Sequence, residues 1–311
     1  MKTIGGVKVR IKRKHIIYFI MSIMIMALLA GCGDKTVTKK DREGNEFTQP
    51  KKIEKIVSAS SSNTEILAAL GLGDKIICTD KYSDDIEGLR EDRTKIDFMN
   101  INAETIISLE PDIVIASTMS KSGSEDPLKS IKDAGIPVVY MPSSKNLDGI
   151  YDDITFLSDI TGTSEKGKQL VKDMKKDVED IKKIGDTIKD KKKVYFEIGS
   201  TPGLYSFGTD TFLNELINII GAENIFANET GWIAPSEENV ISDNPDVILT
   251  NETYIPNAVE LIKQRPGWEN VNAIKNNKVF LIDQNSSSRS TQNVVKALKE
   301  MAKAIYPEQY E

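Results

Sequence analysis

One helix–strand unit occurs twice in this chain, and this repetition constrains the fold more than any other feature of the sequence. The two copies cover residues 102–115 and 236–249, with Glu, Ile, Ser, Pro and Asp in register. Each copy is typical of a short helix followed by a strand. Two lobes of similar topology are the simplest explanation, and chance similarity between two such units is the alternative.

The segments around both copies alternate between the patterns of strands and helices. In the first half, strands are predicted at residues 56–59, 75–78, 111–116 and 136–140, with helices at 102–109 and 126–134. A capping box at Ser62 to Glu65 predicts a further helix that ends at Gly71. In the second half, strands are predicted at 193–198, 224–226, 245–249 and 278–282, with helices at 212–220 and 236–242. This alternation predicts an α/β fold with parallel sheets in two Rossmann-like lobes.

A single long helix is predicted between the lobes, over residues 163–189. Apolar residues recur there at steps of three and four, at Leu170, Val171, Met174, Val178, Ile181, Ile184 and Ile188. A helix of about 20 residues spans about 30 Å, which is enough to connect two lobes side by side. We expect such a connector to bend little. The lobes then cover residues 53–162 and 190–311.

The N-terminus has the pattern of an export signal. Six Lys and Arg precede an apolar run at residues 16–30, which is short for a membrane span and typical of a signal-peptide core. The run ends in Leu29-Ala30-Gly31-Cys32, which resembles a bacterial lipobox. We expect a signal peptide at residues 1–31, lipidation of Cys32 and a flexible tether at 32–52. The alternative is an uncleaved anchor with an incidental Cys; both place the remaining chain outside the cytoplasm.

Cleavage before Cys32 leaves a chain that lacks the residues of many catalytic sites. It retains 35 Lys and Arg against 47 Asp and Glu, a net charge of −12, which argues against a nucleic-acid partner. The lone histidine, His15, is removed, so neither a Ser-His-Asp nor a Cys-His site can form. Cys78 is the one remaining free thiol, which disfavours a zinc site and excludes an internal disulfide. Haem ligation by Tyr or Met stays open.

Two further patterns resemble catalytic motifs without meeting their requirements. The adjacent carboxylates Asp84-Asp85 and Asp152-Asp153 point apart on a strand or helix, so we interpret both pairs as solvated surface charge. Residues 162–168 match the start of a P-loop, but Gln169 stands where Ser or Thr would hold magnesium. The sequence therefore predicts no enzyme, no metal site and no cofactor.

Aromatic residues and one arginine are the candidate ligand contacts. They lie in or near predicted loops at the carboxyl ends of strands, where open α/β sheets bind ligands: Tyr82, Phe98, Tyr205, Phe207, Trp232 and Arg289. Aromatic faces supply contact area for a large flat ligand, and a guanidinium adds a planar fork for carbonyls or anions. The alternatives are a surface loop for Tyr82 and Arg289, a cover over the lobe core for Trp232, and core packing for the others.

Several segments together resemble the extracytoplasmic binding proteins of importers for cobalamin, haem and ferric siderophores. They are the lipobox, residues 56–71, residues 102–106 with 110–112, residues 135–138, and Arg265-Pro266-Gly267-Trp268 before residues 273–275. The resemblance implies two lobes on a helical backbone, as in metal-chelate and vitamin receptors. Within the family, the cobalamin branch is similar at Tyr82, Trp232 and Arg289, which it implies are ligand contacts. The sequence departs from it at Ser60-Ser61, where that branch often carries proline.

The resemblance also implies a role for the repeated glutamates. Glu104 and Glu238 occupy equivalent positions, each in the first turn of a predicted helix. In the family, one carboxylate per lobe docks onto arginines of a two-fold permease, which works with ATPase subunits. Stabilisation of the helix dipole is the alternative.

The sequence as a whole predicts a lipid-anchored receptor on the outer face of a bacterial cytoplasmic membrane. We expect it to bind a corrinoid such as cobalamin and to deliver it to an ABC permease. A ferric siderophore or haem is the alternative ligand. A carboxylate-dependent hydrolase and a structural adhesin are the alternative classes, and the hydrolase would need a convergent Asp/Glu pair that no motif supplies.

Overall fold

The computed structural model describes residues 37–120 and 126–310. The predicted signal peptide, the lipobox and Cys32 lie outside these residues. Lys39–Glu311 forms one compact unit. Within the described ranges, no helix is both long and apolar enough to cross a membrane.

A small ribbon precedes the first lobe and corrects part of the predicted tether. Strands β1 (Thr38–Lys40) and β2 (Glu46–Thr48) pair with one another. Phe47 is 6% exposed, and its ring contacts that of Phe156 edge to face at 6.5 Å between centroids. The Asp41 carboxylate accepts a hydrogen bond from the backbone N–H of Tyr140 at 2.9 Å. Residues 38–48 are therefore folded, because one buried ring and one buried carboxylate fix a segment that is otherwise polar.

The N-terminal lobe is built on a parallel five-stranded sheet. Its strands, in the order β5-β4-β3-β6-β7, are β3 (Ile56–Ala59), β4 (Ile76–Asp80), β5 (Thr94–Ile96), β6 (Ile113–Ser117) and β7 (Val138–Met141). The helices are α1 (Ser61–Ala69), α2 (Ala103–Ser108), α3 (Lys129–Asp133) and α4 (Leu147–Thr161). The strands β3, β6 and β7 are fully buried, as expected for a sheet covered on both faces.

The predicted capping box at Ser62 is wrong. A capping box at Ser62 would make Ser62 the N-cap of the helix. Helix α1 begins two residues earlier, with Ser60 at the N-cap, and no side chain caps it. The Thr64 hydroxyl donates to the Ser58 hydroxyl at 2.8 Å, and Glu65 is directed to the other lobe. Glu65, the last residue of the predicted box, therefore makes a tertiary contact instead of capping the helix.

A long helix, α5 (Ser164–Gly185), follows the first lobe within the predicted range 163–189, and it ends four residues before the predicted end. Gly162 ends α4 in the left-handed conformation, with φ of +74°, so the segment resembling a P-loop consists of a short turn and the first residues of α5. At the far end of α5, a Cβ on Gly185 would lie 2.1 Å from the carbonyl oxygen of Ile219. Only glycine permits this close contact between α5 and the second lobe.

The C-terminal lobe contains a parallel four-stranded sheet and a separate two-stranded antiparallel ribbon. The strands are β8 (Lys193–Glu197), β9 (Ser206–Phe207), β10 (Glu223–Asn224), β11 (Trp232–Ile233), β12 (Val247–Thr250) and β13 (Val279–Leu281). The sheet order is β10-β8-β12-β13, and β9 pairs with β11. The helices are α6 (Phe212–Ile219), α7 (Glu237–Asp243), α8 (Ala258–Lys263), α9 (Asn272–Lys275), α10 (Gln284–Ser288) and α11 (Val294–Ile305).

The repeated unit has the same structure in both lobes. The Asp112 carboxylate accepts from the backbone N–H of Lys55 at 2.9 Å, just before β3, and Asp246 accepts from Lys193 at 3.0 Å, at the start of β8. Each aspartate directly precedes one strand, β6 or β12, and binds the backbone at the start of the strand that pairs with it, β3 or β8. The predicted α/β class with two lobes and an intervening long helix is confirmed.

Candidate functional site

A cleft runs between the lobes at the carboxyl ends of the parallel strands. It consists of two adjoining cavities, each of about 510 Å³. Both cavities are lined by Ser60, Ser62, Ser117, Met119 and Ser288. We call the first cavity the Tyr82 half and the second the Trp232 half, after the aromatic residue that each contains. Their position agrees with the rule that ligands bind beyond the carboxyl ends of strands in open α/β sheets.

The Tyr82 half presents an exposed aromatic ring on a well-ordered turn. Tyr82 is 56% exposed and contacts Phe98 at 6.2 Å between ring centroids, so both predicted residues line the cleft. The buried Asp80 carboxylate accepts from the backbone N–H of Tyr82 at 2.8 Å and from the Ser83 hydroxyl at 2.6 Å. Burial raises the pKa of Asp80, although these hydrogen bonds oppose that change. The turn therefore holds Tyr82 by its backbone and leaves its ring open to a ligand.

The Trp232 half presents a second exposed ring on the β9–β11 ribbon. Trp232 is 57% exposed and lies opposite Phe207 in the strand pair, with 6.1 Å between their ring centroids. Phe207 is fully buried, which corrects its prediction as a ligand contact. It supports the indole from within the lobe because the two rings pack edge to face.

The predicted ligand contact Tyr205 lies away from both cavities. It is 50% exposed, but it lines neither half of the cleft. Instead it packs beside Gly199, where an added Cβ would lie 3.2 Å from the Tyr205 Cβ. The prediction that Tyr205 contacts the ligand is therefore not supported, because a position near the end of a strand does not by itself bring a ring into the cleft.

The sequence predicts that the Arg289 guanidinium contacts the ligand. In the structure it is not free to do so, because its donors bind groups of the protein itself. The residue is 7% exposed and forms a bidentate pair with Asp85, at 2.8 and 2.7 Å. It also donates to the Tyr82 carbonyl oxygen at 2.9 Å and to Glu65 at 3.3 Å. The Arg289 hydrogen bond holds the pKa of Asp85 below its usual value. Asp85 is exposed, as the sequence suggested, but it is an ion-pair partner of Arg289 and not a free surface charge.

The second carboxylate pair also differs from its prediction. Asp153 is 3% exposed and accepts hydrogen bonds from Arg42 Nε at 2.8 Å and from the Ser144 hydroxyl. Burial raises the pKa of Asp153, although both hydrogen bonds oppose this. Asp152 stays exposed, so only one member of the pair is surface charge. The buried member fixes the β1–β2 turn to α4.

The charges around the cleft are balanced. Six charged side chains line its two halves, namely Lys81, Asp84, Asp85, Lys145, Asp210 and Arg289. Lys81 pairs with Asp97 at 2.8 Å, Asp84 pairs with Lys95 at 2.8 Å, and Lys145 pairs with Asp210 across the lobes. Together with the Arg289–Asp85 pair, these contacts give each of the six an oppositely charged partner. The cleft is therefore suited to a ligand without net charge.

Sequence reasoning missed three features of the cleft. Met119 is 58% exposed and lines both halves, and hydroxyl groups form much of the floor. Asn63 lines the Trp232 half and is 4% exposed, and its Nδ2 meets no acceptor in the described part of the chain. Serine-rich runs after β3 and before the end of α10 were the available signal. They were interpreted as a departure from a family pattern or as loop sequence.

The two repeated glutamates lie on the surface at equivalent positions. Glu104 is in the first turn of α2, which Asn102 caps by accepting from Thr105 N–H at 3.1 Å. Glu238 is in the first turn of α7, which Ser236 and Asn239 cap through a capping box. Both carboxylates are exposed. The helix backbone holds the pKa of Glu238 below its usual value, so it is charged at neutral pH.

Comparison with known proteins gives concordant matches over most of the chain. A family model described as a periplasmic binding protein matches residues 56–286. The uncharacterised ABC transporter substrate-binding lipoprotein YvrC of Bacillus subtilis is 36% identical over 308 residues, covering 93% of this chain and 96% of that protein. A vitamin B12-binding protein of Vibrio parahaemolyticus is 28% identical over 251 residues, covering 80% of this chain and 88% of that protein.

A solved structure extends the match to three dimensions. The crystal structure of a possible iron-binding, periplasmic solute-binding protein from Staphylococcus epidermidis has a TM-score of 0.73 and 32% sequence identity. It covers 82% of this chain and 100% of that chain. The two lobes described above therefore have a counterpart of the same architecture.

Proposed function

The chain belongs to the periplasmic binding protein family, and from that premise we propose that it is the substrate-binding lipoprotein of an ABC importer for a corrinoid such as cobalamin. The observation that carries the ligand is the charge-balanced cleft between two exposed aromatic rings, Tyr82 and Trp232. A corrin ring is large and flat, and its peripheral primary amides are neutral hydrogen-bonding groups. Stacking on aromatic faces and contacts with serine hydroxyls fit both properties.

The alternative ligands fit this cleft less well. Haem carries two propionates and many ferric siderophores are anionic, so each is best held by a cation that is not already paired. The cations lining the cleft, Lys81, Lys145 and Arg289, are all in ion pairs. One observation favours iron: the Met119 thioether and the Tyr82 hydroxyl are groups of the kind that ligate haem. The S. epidermidis structure is also named as possibly iron-binding.

Calorimetric titration of the full-length chain in detergent, with cyanocobalamin, haemin and a ferric hydroxamate siderophore, tests the ligand. We expect one-to-one binding of cyanocobalamin, weakened at least tenfold by Tyr82→Ala and by Trp232→Ala. Tyr205→Ala is the matched control, because it removes an aromatic ring of similar exposure outside both cavities. Binding of an iron chelate alone would move the ligand to the second candidate, and binding of none of the three would contradict both.

Delivery to the permease is assigned to Glu104 and Glu238. They are exposed, charged and equivalent in the repeat, so a two-fold partner with basic residues can contact both at once. Charge reversal by Glu104→Lys or Glu238→Lys should abolish uptake in cells and leave cyanocobalamin affinity unchanged. An equal fall in affinity would show that these residues act on the cleft instead.

The location and the absence of catalysis follow from the same role. YvrC is named a lipoprotein, and Cys32 ends a lipobox-like sequence, so we assign the chain to the outer face of the cytoplasmic membrane through a lipid on Cys32. We assign it no enzymatic activity and no resident cofactor. Metabolic labelling with a fatty acid, lost in Cys32→Ser, tests the anchor.

A further inference from the structure

Arg289 lies where the two lobes meet, at the base of the Tyr82 half. Arg289 belongs to the segment from α10 to the start of α11, in the C-terminal lobe, whereas its partners Glu65, Asp85 and Tyr82 belong to the N-terminal lobe. Three further side chains of the same segment reach across. Asn285 donates to Asp85 at 2.8 Å, Gln292 donates to the Glu65 carbonyl at 3.4 Å, and the Thr291 hydroxyl donates to the Glu65 carboxylate. We call this set the Arg289 bridge.

The bridge connects the lobe junction directly to a residue of the cleft. Arg289 Nη2 donates both to the Asp85 carboxylate, at 2.7 Å, and to the Tyr82 carbonyl oxygen, at 2.9 Å. Asp80 binds the Tyr82 N–H from the other side, so the peptide groups flanking Tyr82 are held at both ends. The ring itself remains 56% exposed in the cavity.

Only a guanidinium can make these contacts at the same time. Its planar fork offers several N–H donors in a fixed geometry, which matches a carboxylate in a bidentate pair and leaves a donor for a carbonyl. A lysine keeps the positive charge, but its single nitrogen cannot satisfy both oxygens of Asp85 and the Tyr82 carbonyl from one point. Arg289→Lys therefore keeps the positive charge and changes only the geometry of the contacts.

We propose that Arg289 is a positioning residue, which fixes the Tyr82 turn and the spacing of the two lobes together. It acts on the ligand through Tyr82 and does not contact the ligand through a free guanidinium. The part of the inference that concerns the ligand rests on the proposed function, whereas the part that concerns the Tyr82 turn does not.

Hydrogen exchange of the ligand-free, full-length chain tests the positioning role without any ligand. The backbone N–H groups of Tyr82, Ser83 and Ile86 are hydrogen-bonded within the turn, so their exchange reports its opening. We expect Arg289→Lys to accelerate exchange at residues 82–86 at least tenfold. Exchange in the strands of the N-terminal sheet should stay unchanged. Asp85→Asn removes the negative charge and one of the two acceptor oxygens that Arg289 binds on the other lobe, and it should have the same effect, so the test does not depend on one variant folding.

Arg265→Lys is the matched control for this experiment. Arg265 forms a bidentate pair too, with Glu197 at 2.7 and 2.8 Å, but both residues belong to the C-terminal lobe. Its replacement should leave exchange at residues 82–86 as in the unmodified chain. Equal acceleration in Arg265→Lys and Arg289→Lys, or none in Arg289→Lys and Asp85→Asn, would overturn the proposal.

A double-mutant cycle with cyanocobalamin tests the consequence for the ligand. If Arg289 acts through Tyr82, Tyr82→Ala should weaken binding at least tenfold in the unmodified chain and by less than threefold in Arg289→Lys. Additive losses would show that Arg289 and Tyr82 act separately. If the unmodified chain binds no cyanocobalamin, the proposed ligand fails, and the exchange experiment still decides the positioning role.

Discussion

Two sets of polar contacts connect the lobes, one on each half of the cleft, and they differ in burial. In the Arg289 bridge, the side chains of Arg289 and Glu65 are 8% and 10% exposed. On the Trp232 half, Lys145 pairs with Asp210, and these side chains are 64% and 49% exposed. The first contact centres on a buried guanidinium with several partners. The second is an exposed ion pair, beside which the Glu215 carboxylate of the C-terminal lobe accepts from the Leu147 N–H of the N-terminal lobe at 2.7 Å.

The difference predicts how much each contact contributes to holding the lobes together. An exposed ion pair contributes about 0–1 kcal/mol because water and salt screen it. Removal of one partner from a buried pair costs about 3–5 kcal/mol, since the remaining charge stays buried without compensation. The Arg289 bridge should therefore contribute more to holding the lobes together than the Lys145–Asp210 pair does.

The largest effect is expected from Arg289→Ala. This change leaves the Glu65 carboxylate, on a residue 8% exposed, without its cation, so the free energy of unfolding should fall by about 3–5 kcal/mol. Equilibrium unfolding in urea measures it, with Lys145→Ala as the control from the other half. A loss below 1 kcal/mol in Arg289→Ala would contradict the distinction between the two contacts.

An intermediate effect is expected from Asp85→Asn, and it should depend on pH. Arg289 holds the pKa of Asp85 below its usual value of 3.8. A carboxyl whose pKa is lowered by folding adds stability that is complete above the usual value and is lost as the pH falls through the folded-state value. The unfolding free energies of the unmodified chain and Asp85→Asn should thus differ most near neutral pH and converge below pH 3.8.

Urea titrations of the unmodified chain and of Asp85→Asn at a series of pH values measure this convergence. Asp84→Asn is a suitable control because Asp84 is adjacent, and its side chain is 55% exposed in pairs with Arg93 and Lys95. A difference that persists unchanged below the usual pKa would mean that Asp85 stabilises the fold by packing rather than by its charge.

The elements of this comparison were unequally predictable from sequence. The lobes were predictable because Asp112 and Asp246 recur with the same neighbours and act on adjacent backbone. The exposure of Tyr82 and Trp232 in the cleft agrees with their predicted positions in loops or near strand ends. Local patterns carry this information since strands, helices and caps depend on residues close in the chain.

The Arg289 bridge was not predictable in the same way. Arg289 and Asp85 are separated by 204 positions, and neither residue belongs to a periodic pattern that would reveal its partner. Phe207 was misassigned because a two-residue strand is too short to indicate which side chain points inward. The ribbon around Phe47 was missed for the same reason, since a single buried ring gives no period. Contacts between residues that are far apart in the sequence could be identified only from the three-dimensional structure.

The smallest effect is expected at Lys145 and Asp210, and salt should distinguish it from the bridge. A double-mutant cycle of Lys145→Ala and Asp210→Ala should give a coupling of about 0.2–1 kcal/mol at low salt. The Debye length falls from about 10 Å at 0.1 M salt to about 3 Å at 1 M, so this exposed coupling should shrink towards zero. The corresponding cycle of Arg289→Ala and Glu65→Ala should keep most of its coupling, because these side chains are 8% and 10% exposed. Lys129 and Asp133, an exposed pair within α3, should behave as Lys145 and Asp210 do. A salt-resistant coupling between Lys145 and Asp210 would show that exposure does not distinguish the two contacts.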